Sequence, residues 1–385
     1  MTTTAVSSRD ATSGRPRVVL RGRPITIVGP SRRDPRLRLS AVVIALQVLG
    51  QTVLGFKVSI AQILVTVGVC AVVDATVTLA RDHVLALPAS GMLTGNSVAF
   101  ILRASGTRHG DWWSMHGIGY FVLAALLSLG SKYLIRPGGR HLFNPSNVGL
   151  VWCLLVIGPR RLFPQYLWWG PFGLPVVLAL AVILVGGVWV LRPVRMAGMA
   201  LSFLVPFAVL VGIFAASGRS FVAIWHTGPI SGMAYWADIA LSPEVLIFVF
   251  FMMSDPQTAP KAPVGRVVYG ASTAVVAAGL LFFQPTEFGI KLAILSSLTV
   301  VCALVPVIES LSRRRQGQRE RDRNGSRTTL GAPVERRRRL VTALSPGIIA
   351  ALVIAVAAPA GTAALARNTQ LINIERGLTP DRNPQ

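Results

Sequence analysis

Three short stretches of the chain combine amide, hydroxyl and carboxylate side chains with Gly or Pro. They are Leu93-Thr94-Gly95-Asn96-Ser97, Phe143-Asn144-Pro145-Ser146-Asn147 and Met253-Ser254-Asp255-Pro256-Gln257-Thr258-Ala259-Pro260. The chemistry these groups offer is hydrogen bonding, not bond breaking. Thr94, Asn96 and Ser97 supply side-chain donors and acceptors. Gly91, Gly95 and Pro88 are expected to interrupt a helix and free backbone groups for a ligand. A helix starting after Asn144 presents N–H groups to an anionic or carbonyl oxygen, and Asp255 is a carboxylate abutting hydrocarbon that must find donors. Each cluster also has a plainer reading: a polar helix–helix contact, an N-cap with Pro in the first turn, and a helix stop. The sequence holds no nucleophile–base constellation, no G-x-G-x-x-G fingerprint, no Walker motif and no CxxC. Cys70, Cys153 and Cys302 fall singly in separate apolar segments, so they read as buried thiols and offer no haem, iron–sulfur or other metal site within this chain.

The elements that must position these clusters are set by composition. Of 385 residues, 52% are hydrophobic and 14% charged, well below the roughly 25% charged residues of soluble domains, and mean hydropathy is +0.59. The 38 Lys and Arg against 15 Asp and Glu are not spread evenly. Residues 1–38 and 312–340 hold more than half of the basic residues and flank long apolar runs, the pattern of cytoplasmic membrane-protein ends. A nucleic-acid partner is therefore not expected. Apolar runs of spanning length cover Ser40–Phe56, Val58–Ala80, His116–Ile135, Gly173–Leu191, Met196–Ala216, Val267–Phe283, Phe288–Leu311 and Gly347–Ala366. Weaker candidates are His83–Leu102, Asn147–Gly158 and Leu241–Ser254. With all eleven crossing and the N-terminus inside, the basic loops 136–146, 192–195, 255–266 and 312–342 all lie in the cytoplasm, and the C-terminus lies outside.

The expected class is all-α: a polytopic integral membrane protein, a ten-span bundle plus one C-terminal transmembrane helix. Its parts are a basic cytoplasmic tail (1–38), the ten-span domain (39–311), an Arg-rich cytoplasmic linker read as disordered (312–342), the additional helix (343–366) and a tail (367–385). If spans one to five and six to ten are two halves, the odd number in each makes them inverted repeats. The third and eighth spans, both short and interrupted, then correspond, which is the arrangement that points to a site at a repeat interface. Trp112, Trp113, Trp168, Trp169, Trp225 and Trp236 are expected to anchor the outer interface.

At the polar clusters the chain resembles the RnfD/NqrB membrane subunits of the Rnf and sodium-pumping NADH:quinone oxidoreductase complexes. The resemblance rests on Met92-Leu93-Thr94-Gly95, Leu142-Phe143-Asn144-Pro145-Ser146-Asn147, Phe251-Met252-Met253-Ser254-Asp255-Pro256-Gln257-Thr258-Ala259, Gly265-Arg266-Val267-Val268-Tyr269-Gly270 and Val305-Pro306-Val307-Ile308-Glu309, and it covers roughly residues 38–311. It implies ten spans in inverted repeats, a bound flavin, and electron transfer toward a partner subunit or quinone, in some members coupled to an ion. The family's covalent FMN sits on a Thr in a pattern like D-x-x-S-x-A-T after the fifth span. Residues 159–170 here contain neither Ser nor Thr, so the resemblance implies non-covalent riboflavin or FMN. The short loop, long Arg-rich linker and extra helix are similar to the divergent members encoded with enediyne antibiotic biosynthesis, labelled UnbU.

Two function classes use these residues. One is a flavin-dependent electron-transport subunit of a membrane oxidoreductase, with Thr94, Gly95, Asn96, Phe143, Asn144, Pro145, Asn147, Asp255, Pro256 and Thr258 around the cofactor and Phe100, Phe143 and Phe251 as its walls. It requires other redox subunits or an electron carrier, since the chain has no nicotinamide fingerprint of its own. The other is a secondary transporter or export channel for a small hydrophobic metabolite. Asn144 and Asp255 are expected to lie at one depth and to join the half-bundles.

Overall fold

The computed structural model describes residues 17–20, 23–28, 35–166 and 173–323. The expected helix at 343–366, the C-terminal tail and both Trp168 and Trp169 lie outside these residues. The described chain is dominated by helices: α1 (Pro35–Thr52), α2 (Ile60–Asp82), α3 (Ala89–Ile101), α4 (Ile118–Leu134), α5 (Pro145–Ile157), α6 (Leu174–Val194), α7 (Ala197–Ala216), α8 (Gly232–Ala240), α9 (Pro243–Ile247), α10 (Pro263–Leu281) and α11 (Glu287–Arg323). Between α9 and α10 a π-helical turn, Phe248–Met252, continues α9. Six helical stretches are long and apolar enough to cross a membrane: α2, α6, α7, Gly232–Met252, α10 and the first part of α11, Glu287–Ser310. The protein is an all-α polytopic membrane protein.

Three small sheets sit at helix ends. Strands β1 (Arg17–Leu20) and β2 (Arg23–Val28) form an antiparallel hairpin, and β2 pairs in parallel with β3 (Val84–Ala86) just after α2. Strand β4 (Leu102–Ala104) pairs with β5 (Leu162–Pro164), and β6 (Ser220–Val222) with β7 (Pro229–Ser231). The basic tail is thus partly structured and is tied to the segment that precedes α3.

Side-chain bonds sort the connections onto two faces. On one, Arg140 reaches the carbonyls of Pro256, Gln257 and Ala259 and pairs with Glu309, and Arg266 reaches the carbonyls of Val194 and Arg195. On the other, β4 meets β5, Val222 bridges to Thr286, and Ala61 N–H donates to the Trp112 carbonyl. They are called here the basic face and the tryptophan face. Packing repeats between the halves: α2–α3, α2–α4 and α4–α5 in the first recur as α7–α8, α7–α10 and α10–α11 in the second. Across the halves α1 packs on α6 and α5 on α11, so the first and last helices of each half meet their counterparts, an arrangement that suits inverted repeats.

Local rules explain the weak elements. Helix α3 begins only at Ala89, not at His83, because His83 takes a left-handed conformation (φ 52°) that ends α2 and Pro88 precedes the helix. It then runs unbroken through Gly91 and Gly95, contrary to the expected interruption. A Cβ on Gly91 would come within 2.5 Å of Asp74 Cβ, and one on Gly95 within 2.7 Å of the Thr66 carbonyl. These glycines serve the close approach of α3 to α2, as small residues do in membrane helix pairs. The eighth segment starts at Gly232, not Leu241, because polar residues such as Asp238 dilute its hydropathy. It does break, at Leu241-Ser242, where the Ser242 hydroxyl caps α9 and Pro243 sits in the first turn. Finally, α11 continues as helix through Arg323 where disorder was expected. Arg, Gln and Glu are good helix formers, and the apolar span supplies the nucleus that an isolated polar segment lacks.

Candidate functional site

Asn144 is the N-cap of α5. Its Oδ1 accepts from the Asn147 N–H at 3.2 Å and from the Ser146 hydroxyl at 2.9 Å, and Pro145 occupies the first turn, where no N–H is needed. The Asn144 amide donates to the Met252 carbonyl at 3.0 Å. Met252 is the last residue of the π-helical turn, and π turns shift the backbone register and recur at functional positions. One turn into α5, Asn147 Nδ2 donates to the Leu295 carbonyl and the Thr299 hydroxyl, each at 2.9 Å. Two amides on one helix end therefore hold α9's continuation and α11 together. The cluster is buried, and Asn147 Oδ1 and the Ser296 hydroxyl are enclosed without a hydrogen-bond partner. Leaving a buried acceptor unpaired costs about 1–3 kcal/mol, so such atoms point to a missing donor.

Asp255 and Asn144 lie on the same face, four chain segments apart, but they do not bond to each other. Asp255 Oδ1 accepts from the Gln257 N–H at 2.9 Å, so the expected carboxylate–amide lock is replaced by Asn144 binding the Met252 carbonyl. A carboxylate followed by Pro closes its own turn most readily with the amide two residues on. Burial pushes the Asp255 carboxyl above the usual carboxylate range. The Gln257 N–H and the Arg36, Arg140 and Lys132 charges pull against that shift. Thr258 is buried, with its hydroxyl on the Asp255 carbonyl at 3.3 Å, and it neighbours the buried pair of Tyr269 hydroxyl and Cys302 thiol. Pro256 is exposed.

Helix α3, which carries the first cluster, packs on α5. Thr94 donates to the Ser90 carbonyl at 2.9 Å, and among the described residues no hydrogen bond links Thr94 or Asn96 to the other two clusters. Of the expected walls, Phe143 and Phe251 are buried near the Asn144–Met252 contact. Phe100 is not: it ends α3 at the tryptophan face, 6.0 Å from the Phe56 ring, about the length of α5 away. Trp236 also departs from an interface role, since its indole N–H donates to the Ala208 carbonyl inside α7's packing.

Two buried ionic clusters escaped the sequence reading. Lys132 on α4 lies 2.5 Å from Asp74 on α2 and donates to the Ser90 hydroxyl. Asp74 also accepts from the Tyr133 hydroxyl and from the Gly91 N–H. In the second half, Lys291 on α11 lies 2.7 Å from both Glu244 and Glu287 and donates to the Gln165 carbonyl. The only sequence signal was the i,i+4 pair Glu287 and Lys291; the other partners are too far apart in the chain. Among the described residues no three His, Cys, Asp or Glu side chains gather to hold a metal ion.

Residues 162–317, from β5 past the basic-face end of the α11 span, match the model of the NQR2, RnfD, RnfE family. Over these residues the chain is similar to RnfD/NqrB-type membrane proteins. No curated protein matches the chain. The matched part includes the π turn, Asp255, Thr258 and the Lys291 cluster, and it leaves the Asn144 end of α5 outside. Chains of that family are subunits of membrane redox complexes, and the six long apolar helices suit this chain to a bilayer.

Proposed function

We propose that this chain is an electron-transport subunit that binds riboflavin or FMN non-covalently and passes electrons to a partner subunit or to a quinone, serving enediyne antibiotic biosynthesis. The observation that carries the reading is the enclosed, unpaired Asn147 Oδ1 beside the π turn, an acceptor suited to an imide N–H such as that of isoalloxazine. Asn144, Asn147, Asp255 and Thr258 would hold the polar edge of the ring, with Phe143 and Phe251 as apolar walls; Thr94, Gly95 and Asn96 would flank it from α3. The bound flavin supplies one- and two-electron chemistry, while the chain's residues bind it, orient it and exclude water. Covalent FMN at residues 159–170 is not part of this reading, since that loop contains neither Ser nor Thr.

The same reading sets ten spans between the two faces and one more at 343–366, with the N-terminus and residues 313–339 cytoplasmic and the C-terminus outside. The deciding experiment is acid precipitation of the purified protein with spectra of both fractions. Flavin bands in the supernatant support the reading; flavin retained in the pellet, or none in either fraction, overturns it. Reporter fusions at residues 313–339 and at Gln385 check the orientation, and finding both on one side rejects eleven spans.

A further inference from the structure

A cleft of about 530 Å³ opens in the lipid-facing wall between α1 and α2, near the tryptophan face. Its walls are Ile44 and Val48 from α1, Ile60 and Ile63 from α2, and Trp112 and Trp113 from the loop above. Ile44, Val48 and Trp113 are more than half exposed, so in a bilayer whatever fills the space enters from the hydrocarbon. The floor is not apolar. Gln47 and Gln51 are more than nine-tenths buried there, and Gln47 Nε2 and Gln51 Oε1 have no hydrogen-bond partner. Gln51 is held in place from its other end, its Nε2 donating to the Val58 carbonyl at 2.7 Å, which leaves the oxygen as the free acceptor. Terminal amide torsions are soft, so a small swing of the Gln47 amide brings its nitrogen to a ligand in the cleft.

We propose that this cleft binds one membrane lipid, with an acyl-ester carbonyl accepting from Gln47 Nε2 and a headgroup N–H or O–H donating to Gln51 Oε1. The order of the two amides matches a lipid. Gln51 lies one turn, about 6 Å, nearer the end of α1 than Gln47, so the donor for the ester is deeper and the acceptor for the headgroup is closer to water. Trp112 and Trp113 mark the interface level at which ester groups lie, and the apolar walls below take the chains. The shared requirement is a donating headgroup, met by the ammonium of phosphatidylethanolamine or the hydroxyls of phosphatidylglycerol, and not by phosphatidylcholine. The proposal does not depend on a bound flavin.

The test uses the full chain exchanged into nanodiscs of pure phosphatidylethanolamine, phosphatidylglycerol or phosphatidylcholine, followed by native mass spectrometry. One retained lipid per chain is expected from one or both donating headgroups, at least fivefold above phosphatidylcholine, and the two arms identify which donor serves. Gln47→Leu should lower that retention at least fivefold at unchanged melting temperature. Gln51→Glu should shift retention toward phosphatidylethanolamine. Equal retention in all three lipids, or retention unaffected by Gln47→Leu, overturns the proposal. Should Gln47→Leu fail to fold, the headgroup series on the unaltered chain decides alone.

Discussion

The Asn144 side-chain amide donates to the main-chain carbonyl of Met252, 108 residues away in the chain. One side chain thus caps α5 with its oxygen and ties that cap to the π turn of the opposite half with its nitrogen. Asn144→Asp keeps the capping oxygen and removes the donor, while Asn144→Ala removes both. The Asp variant should lose about 1–3 kcal/mol from the unpaired Met252 carbonyl, and Ala about 1 kcal/mol more from the lost cap. Thermal unfolding in detergent measures the order. Equal melting of Asn144→Asp and the parent would show that the bridge contributes nothing.

Gly91 and Gly130 form a matched pair for the α2–α3 contact. A methyl group on Gly91 meets Asp74 and the Cys70 carbonyl within 2.6 Å, whereas one on Gly130 meets nothing within 4 Å. Gly91→Ala should destabilise by about 1–3 kcal/mol, the usual range for overpacking. Gly130→Ala should be neutral or stabilise by up to about 1 kcal/mol, because Ala loses less backbone freedom in a helix. Melting temperatures of the two variants check the contrast.

Asp74 and Lys132 are both nearly buried. Removing either partner strands the other charge, so Asp74→Asn and Lys132→Met should each cost about 3–5 kcal/mol, and the double variant should recover much of that loss. A double-mutant cycle on folded yield and melting temperature measures the coupling. Additive losses would mean that the pair does not act as one unit.

His141 lies in the basic-face loop before α5 with Nδ1 against the Lys132 carbonyl. Burial pushes its pKa below the ordinary value, helped by the Lys132 charge and opposed by the Lys132 carbonyl, with Arg136 and Arg36 adding to the drop. The unfolded chain then binds the proton more readily than the folded one. Stability is therefore full above the ordinary histidine value of about 6.5 and declines as pH falls through it. Melting curves from pH 8 to pH 5 should show that decline, and His141→Gln should flatten it.

Much of this fold was legible because hydropathy records burial in lipid one residue at a time. The ten apolar or weakly apolar segments of residues 38–311 each correspond to helix, and Asn144 was readable as a cap with amide capacity to spare. What the sequence hid was partnership. Gly91 and Gly95 looked like helix breaks because their reason, the approach of α2, lies elsewhere in the chain. Asp74, Lys132 and Glu244 stood as isolated charges in the sequence, and only packing of α2 on α4 and of α9 toward α11 gives them partners. Asp255 was read toward Asn144 because both face one way; the shorter route to its own Gln257 amide took precedence.

Helix α11 has 37 residues, about 56 Å at 1.5 Å per residue, and the hydrocarbon core is about 30 Å thick. The stretch from Ser310 to Arg323 therefore stands roughly 20 Å beyond the span along the helix axis. The field of lipid headgroups decays within a screening length of about 8 Å at physiological salt. The root of this arm sits in the membrane's electrostatic shadow, while its tip reaches past it into bulk solvent. A charged soluble molecule arriving at the tip meets the arm before it feels the bilayer, and its approach should depend on ionic strength but not on the lipid composition below.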